Sequence, residues 1–106
     1  MLARESLSYY ILERFCRYEW DEAKNTENVG KHKGLPLLDG MDVFLDKARV
    51  IFEDRRFDYG EKRYIAIGDV DGKVLSVCFT HRRFLKRRLI SVRLASRKER
   101  RLYYGK

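Results

Sequence analysis

Between Leu37 and Ala48 the apolar residues Leu37, Leu38, Met41, Phe44, Leu45 and Ala48 recur at steps of three and four, which places them on one face of a helix. This stripe predicts core packing and has no cofactor role. Upstream, Arg17 to Trp20 fits a short strand, and Asp21 is suited to cap a helix running to about Lys33, because its carboxylate can accept from the first unpaired backbone amides. Gly34, with Pro36 just beyond, stops that helix. Residues 1 to 17 fit the pattern less well: Tyr10, Ile11 and Phe15 either line an accessory helix after Ser6 or belong to an appended leader.

Further along, the period changes from helical to alternating. Strands are expected at Arg49 to Glu53, Arg63 to Gly68, Lys73 to Thr80 and Arg88 to Ala95, all rich in Val, Ile, Phe or Tyr, with Asp71-Gly72 as a hairpin turn. In the third of these, Leu75, Val77 and Phe79 oppose Ser76, Cys78 and Thr80, and the parity continues to Arg82; in the fourth, Ile90, Val92 and Leu94 oppose Ser91 and Arg93. With the apolar faces under the helices, Arg82, Ser91 and Arg93 share the opposite, open face of the sheet. Ser96-Arg97-Lys98-Glu99 is a capping box that opens a final basic helix bearing Leu102, Tyr103 and Tyr104. The expected fold is α+β, with helices packed on one face of a small twisted antiparallel sheet. Residues 18 to 106 form that domain, and residues 1 to 17 are the leader or accessory helix.

Charge changes this picture from a generic fold to one with a polarity. Of 106 residues, 44% are hydrophobic and 38% charged, so a core forms beneath a heavily ionised surface. The net charge of +8 is uneven: residues 1 to 60 carry 10 Lys/Arg and 12 Asp/Glu, residues 61 to 106 carry 14 and 4, hence −2 against +10. A basic half of this strength attracts phosphate backbones through counterion release, and equally an acidic protein or an anionic membrane. Cys16 and Cys78, far apart and outside any CxxC spacing, support neither a disulfide framework nor a zinc ribbon and suit a reducing cytosol. No run approaches the roughly 18 apolar residues of a membrane span, so neither signal peptide nor anchor is expected and the location is cytoplasmic.

Several groups carry potential chemistry. Lys24, Asn28, Lys31 and His32 fall on roughly one helical stripe, able to bind a phosphate and shuttle a proton, or else simply solvated with His32 favoured near the helix end. Asp58-Tyr59-Gly60-Glu61-Lys62-Arg63 contains a turn that can present Tyr59, Glu61 and Arg63 together. Arg82, Arg83, Lys86, Arg87 and Arg88, interrupted by Phe84 and Leu85, fit a loop that grips a single nucleic-acid strand by charge and stacking, with a solvated basic loop as the alternative. Glu99 is better explained as the capping-box acid than as a catalyst, and Arg97, Arg100 and Arg101 as a helix face. There is no Gly-rich phosphate loop, GxSxG elbow or HExxH, and His32 and His81 are far apart, so neither metal nor cofactor is expected.

Taken in order, Tyr18-Glu19-Trp20-Asp21-Glu22-Ala23-Lys24-Asn25, Asn28, Lys31-His32, Val43-Phe44, Tyr59-Gly60-Glu61-Lys62-Arg63, Ile67-Gly68 and Ile90-Ser91-Val92-Arg93-Leu94-Ala95 resemble the BrnT toxin family over about residues 18 to 104. The resemblance implies a RelE-like fold, metal-independent endoribonuclease activity, and neutralisation by an antitoxin encoded beside the toxin. That partner is typically a BrnA-like ribbon-helix-helix protein forming a heterotetramer, with operator DNA bound only through the complex. By position it carries over Lys31, His32, Glu61, Arg63, Arg82 and Arg93; catalysis is expected of His32, Glu61, Arg63, Arg82 and Arg93, and RNA binding of Lys31 together with the basic residues Lys24, His81, Arg83, Arg87, Arg88 and Arg97. In this reading the ribose 2′-OH attacks its own 3′ phosphate. His81 stands where the family usually has Glu, and residues 83 to 87 make a longer, more basic loop. Two other classes also fit the basic half: a non-catalytic nucleic-acid-binding module, and an interaction protein that seats an acidic partner.

Overall fold

The computed structural model describes residues 16–31 and 34–105. The expected leader, apart from Cys16 and Arg17, lies outside the described residues, as does His32. The elements run β1 (Arg17–Glu19), α1 (Glu22–Lys31), α2 (Asp39–Val43), β2 (Val50–Asp54), β3 (Arg63–Val70), β4 (Lys73–Arg82), β5 (Lys86–Leu94) and α3 (Arg97–Tyr104). Local chemistry accounts for most of their ends. Asp21 Oδ1 accepts from the backbone amides of Ala23 and Lys24 at 2.8 and 3.2 Å and so starts α1. The Asp71-Gly72 turn has φ values of 51° and 86°, the left-handed pair that a tight hairpin requires. Both halves of the capping box at Ser96 and Glu99 are formed.

The predicted second helix is much shorter than its apolar stripe. It ends at Val43 because Asp46 accepts from the amides of Ala48 and Asp69, offering the backbone a turn in place of another helical bond. Leu38 and Leu45 are consequently exposed, and the buried set is Leu37, Gly40, Val43 and Phe44. Gly40 lies so close to β5 that a Cβ would stand 2.8 Å from Val92 Cγ2, so this helix can press onto the sheet only with glycine there.

Strand order is β1-β5-β4-β3-β2. β2 to β5 are antiparallel neighbours, but β1 runs parallel to β5, so the sheet is mixed rather than antiparallel. Nor do the helices share one face. Leu37, Val43, Phe44, Ala66, Leu75, Val77, Phe79, Leu89 and Val92 form the core on the α2 side. Ile65, Ile67, Val74, Cys78, Ala95 and Tyr103 form a second core, because α3 folds back over the opposite face. That face is therefore covered at the end bearing Ile67 and Val74, not open throughout. One irregularity in the β4–β5 pairing corrects the expected parity. Cys78 pairs with Ser91 while Phe79 pairs with Leu89, so Ile90 is bulged and Leu89 takes the core position predicted for it.

Asn28, 5% exposed, closes the β5 edge beyond β1. Its Oδ1 accepts from Val92 N at 2.9 Å, and its Nδ2 donates to Val92 O at 2.8 Å and Leu35 O at 2.7 Å. Asn25 Oδ1 meanwhile accepts from Leu37 N at 2.8 Å. Replacing Asn28 with Ala strands a buried amide and buried carbonyls, and is expected to remove about 2–4 kcal/mol of stability. Urea unfolding with an unchanged slope and a lowered midpoint is the expected result, and an unchanged midpoint contradicts the role.

Candidate functional site

Register brings charged residues from four of the five strands abreast, with Thr80 of β4 between them. Asp54 pairs with Arg63, Thr80 with Arg88, and Arg88 with Glu19, and β3 and β4 are in register beside them at Tyr64 and Phe79. By the alternation of strands these residues belong to the face that carries α3, at the end away from Ile67 and Val74. Thr80 does not compete with the charges: its hydroxyl donates to Lys62 O at 2.7 Å and holds the turn before β3 in place.

The turn from Asp58 to Arg63 does what its sequence suggests. Asp58 Oδ1 accepts from Gly60 N at 3.0 Å, and Gly60 adopts φ 70°, which turns the chain so that Glu61 faces two guanidiniums. Arg63 Nε lies 3.1 Å from Glu61 Oε2 and Arg82 Nη1 3.3 Å from Glu61 Oε1. The Arg63 guanidinium also stacks 4.3 Å from the centre of the Tyr59 ring. Hydrogen bonding from Arg63, reinforced by the charge of Arg82, holds the Glu61 carboxyl below the usual carboxylate range. Beside it, Asp54 is buried and receives both Arg56 nitrogens, at 2.8 and 2.9 Å, and the Tyr59 hydroxyl at 2.9 Å. The Arg56 bonds dominate and keep Asp54 ionised, while burial and the bond to Asp54 push the Tyr59 hydroxyl up.

Glu61, Arg63 and Arg82 are thus brought together. Arg88 continues the row and is held by Glu19 at 2.6 Å, with Lys86 at 3.4 Å from the same carboxylate. Arg93 stands apart from the Glu61 pair: its Nη1 and Nη2 bond Glu99 at 2.6 and 2.9 Å, and Ser76 donates to the same acid at 3.0 Å. Burial alone would raise Glu99, but the Arg93 bonds outweigh it and its carboxyl is lowered. A cleft of about 380 Å³ between β2 and α3 nevertheless has Asp54 and Arg56 on one wall and Arg93 and Glu99 on the other, with Ile65 among its lining.

Other expected contacts lie elsewhere. His81 and Arg87 pair with each other on the α2 side of the sheet, opposite Arg82. The His81 ring packs 5.0 Å from Tyr64, and burial, then Arg87, keeps the imidazole below its ordinary value. Arg87 stacks 4.0 Å over Phe44 and bonds the Tyr18 hydroxyl. Lys24 and Lys31 border a groove of about 180 Å³ with Asn28, Ile90 and Ser91, and Lys31 pairs with Glu27 at 2.7 Å. Asn28 itself is turned into the fold and is not part of a phosphate stripe. Arg83 and Arg97 are exposed, the first in the β4–β5 turn and the second at the start of α3. The expected gripping loop over 82–88 is reduced to a turn at 83–85, since Lys86 to Arg88 are strand. Asp54 and Arg56 were not among the expected site residues. The only available signal was the alternation of Val50, Phe52 and Asp54 along β2. Among the described residues, no three His, Cys, Asp or Glu side chains are grouped as metal ligands, and no helix is long and apolar enough to cross a membrane.

Comparison with known proteins adds a family-level finding. A family model described as the ribonuclease toxin BrnT of type II toxin-antitoxin systems matches residues 20–99. The crystal structure of the Brucella abortus ribonuclease toxin BrnT superposes with a TM-score of 0.61 at 28% identity, over 77% of this chain and 99% of that one. No curated protein matches the chain.

The two arginine environments predict different costs. Arg93→Ala removes charge-assisted bonds to a mostly buried carboxylate and is expected to lose about 1–3 kcal/mol. Arg82→Ala breaks a partly exposed pair worth under about 0.5 kcal/mol. Equal losses in denaturant unfolding would contradict this division of roles.

Proposed function

Because this chain belongs to the BrnT family of ribonuclease toxins of type II toxin-antitoxin systems, we propose that it is a metal-independent endoribonuclease whose reaction centre is Glu61, Arg63 and Arg82. The observation that carries this reading is the single carboxylate shared by two guanidiniums. In the absence of RNA, Glu61 occupies the place where the singly charged phosphodiester would be most favoured. A phosphate entering between Arg63 and Arg82 takes over their donors, and the same donors serve the extra charge of the pentacovalent transition state.

The 2′ oxygen attacks the adjacent phosphorus, the bond to the 5′ oxygen breaks, and a 2′,3′-cyclic phosphate and a 5′-hydroxyl result. Glu61, released from its arginines as the phosphate binds, takes the 2′-OH proton, and His32 is assigned the proton given to the leaving oxygen. Arg88 continues the cationic row towards a neighbouring phosphate, with Lys24, Lys31, Arg83 and Arg97 as outlying contacts. Arg93 assists from the far wall of the cleft. The scaffold in this reading is RelE-like and the compartment cytoplasmic. Inhibition comes from a BrnA-like ribbon-helix-helix antitoxin bound as a heterotetramer, whose operator contacts belong to the antitoxin.

Expression of the chain alone is expected to arrest growth and fragment total RNA, with relief on co-expression of the neighbouring gene product. RNA binding without new products would leave a non-catalytic binding module instead. Arg82→Ala should lower the cleavage rate about 10²- to 10³-fold with the fold intact. A folded, fully toxic Arg82→Ala variant refutes the assignment.

The rate–pH profile tests the proton transfers separately. A base must be ionised, and Arg63 and Arg82 hold the Glu61 carboxyl below the usual carboxylate range, so the acid limb falls below that range, while the acid must be protonated and sets the alkaline limb. Loss of the alkaline limb in His32→Ala is the expected outcome, and its persistence removes His32 from the mechanism.

A further inference from the structure

The tip of the β4–β5 hairpin combines three features that the proposed reaction does not use. Arg82 pairs with Lys86, leaving only Arg83, Phe84 and Leu85 to turn the chain. Phe84 and Leu85 sit at φ 62° and 54°, the left-handed region that glycine enters freely and that a branched or aromatic side chain resists. Both are also exposed, Phe84 at 79% and Leu85 at 54%. The turn is held in this form by strand pairing and by Arg17, whose amide donates to Leu85 O at 2.7 Å. The other tight hairpin of the sheet places Asp71 and Gly72 in the same left-handed region, which glycine enters without strain. Here, large apolar side chains are displayed where the backbone favours glycine.

Surroundings identify the occupant. Arg83 is in the turn, Arg82 and Lys86 flank it, and Arg88 follows two residues on. Phe84 is at most about 8 Å from Arg82 along the chain, so the turn adjoins the strand end that carries one of the two proposed phosphate-binding arginines. An apolar ring surrounded by cations suits a ligand that alternates flat apolar faces with anions, which is a single nucleic-acid strand. An acidic protein surface would satisfy the cations but offers no regular partner for an isolated ring.

We propose that Phe84 is a stacking platform for an unpaired RNA base adjoining the scissile phosphate, with Leu85 backing it. The proposal rests on the ribonuclease reading and adds a specificity element to it: cleavage favours single-stranded over paired RNA, because only an unpaired base presents a free face to the ring.

The test measures binding of a non-cleavable single-stranded 2′-O-methyl oligoribonucleotide of about ten nucleotides. Full-length wild type is compared with Phe84→Gly, Phe84→Trp and Arg82→Ala. Phe84→Gly is expected to bind about tenfold more weakly yet melt at a higher temperature, since it relieves backbone strain. Phe84→Trp should bind at least as tightly as wild type. Salt dependence separates the two kinds of contact: the slope is unchanged in Phe84→Gly and falls by about one in Arg82→Ala. Wild-type affinity in Phe84→Gly, or a loss in Phe84→Trp equal to that in Phe84→Gly, overturns the stacking role and leaves the exposed ring to a protein partner. Absence of binding by the wild type overturns the ribonuclease reading and the stacking role together.

Discussion

The side-chain amide of Asn28 takes the place of a strand along β5, giving and receiving the two hydrogen bonds that Val92 would otherwise offer to a backbone neighbour. β1 reaches only as far as Arg88 on that edge. Beyond it, the polar backbone of a central core strand would be unpaired next to Leu89 and Val92. Burying unpaired amides and carbonyls costs more than their bonds return in water, so the helix that carries Asn28 has one permitted position. Its third bond, to Leu35 O, and the neighbouring bond from Leu37 N to Asn25 set the entry into α2, which then closes over Phe44 and Phe79. The α2-side core depends on that docking.

On the other face the constraint is electrostatic. Five arginines are gathered within one side of a five-stranded sheet, and each is answered by a carboxylate: Arg56 by Asp54, Arg63 and Arg82 by Glu61, Arg88 by Glu19, and Arg93 by Glu99. Two of these acids come from the acidic half of the chain that composition set against the basic one. The answers differ in kind. Asp54 and Glu99 are the more buried and are tied by several hydrogen bonds, so their pairs hold structure. Glu61 is partly exposed and held by longer contacts, 3.1 and 3.3 Å, than the 2.6 Å bond from Arg88 to the similarly exposed Glu19, which makes it the carboxylate most easily displaced by an incoming anion.

Much of this was legible from local chemistry. The Asp21 cap, the Asp71-Gly72 hairpin, the Ser96–Glu99 capping box and the turn that gathers Tyr59, Glu61 and Arg63 each depend on residues a few positions apart, and each forms. The longer stripe from Leu37 to Ala48 misled because Asp46 found a distant amide on Asp69, a partner that periodicity cannot show. Parity along β4 correctly separated Phe79 from Arg82, but it was carried across β5 without the bulge at Ile90. Neither the parallel β1 nor the return of α3 over the second face has any local signature.

Capping chemistry, turn residues and the uneven charge were thus determined by the sequence itself, since each acts over a few residues or over none. Which guanidinium meets which carboxylate was decided only in three dimensions. His81 and Arg82 are adjacent in the chain yet lie on opposite faces of the sheet, and Glu61 lies 21 positions from Arg82 yet shares its charge. Strand register makes both outcomes, because a pleat separates neighbours and pairing joins residues that the chain keeps apart.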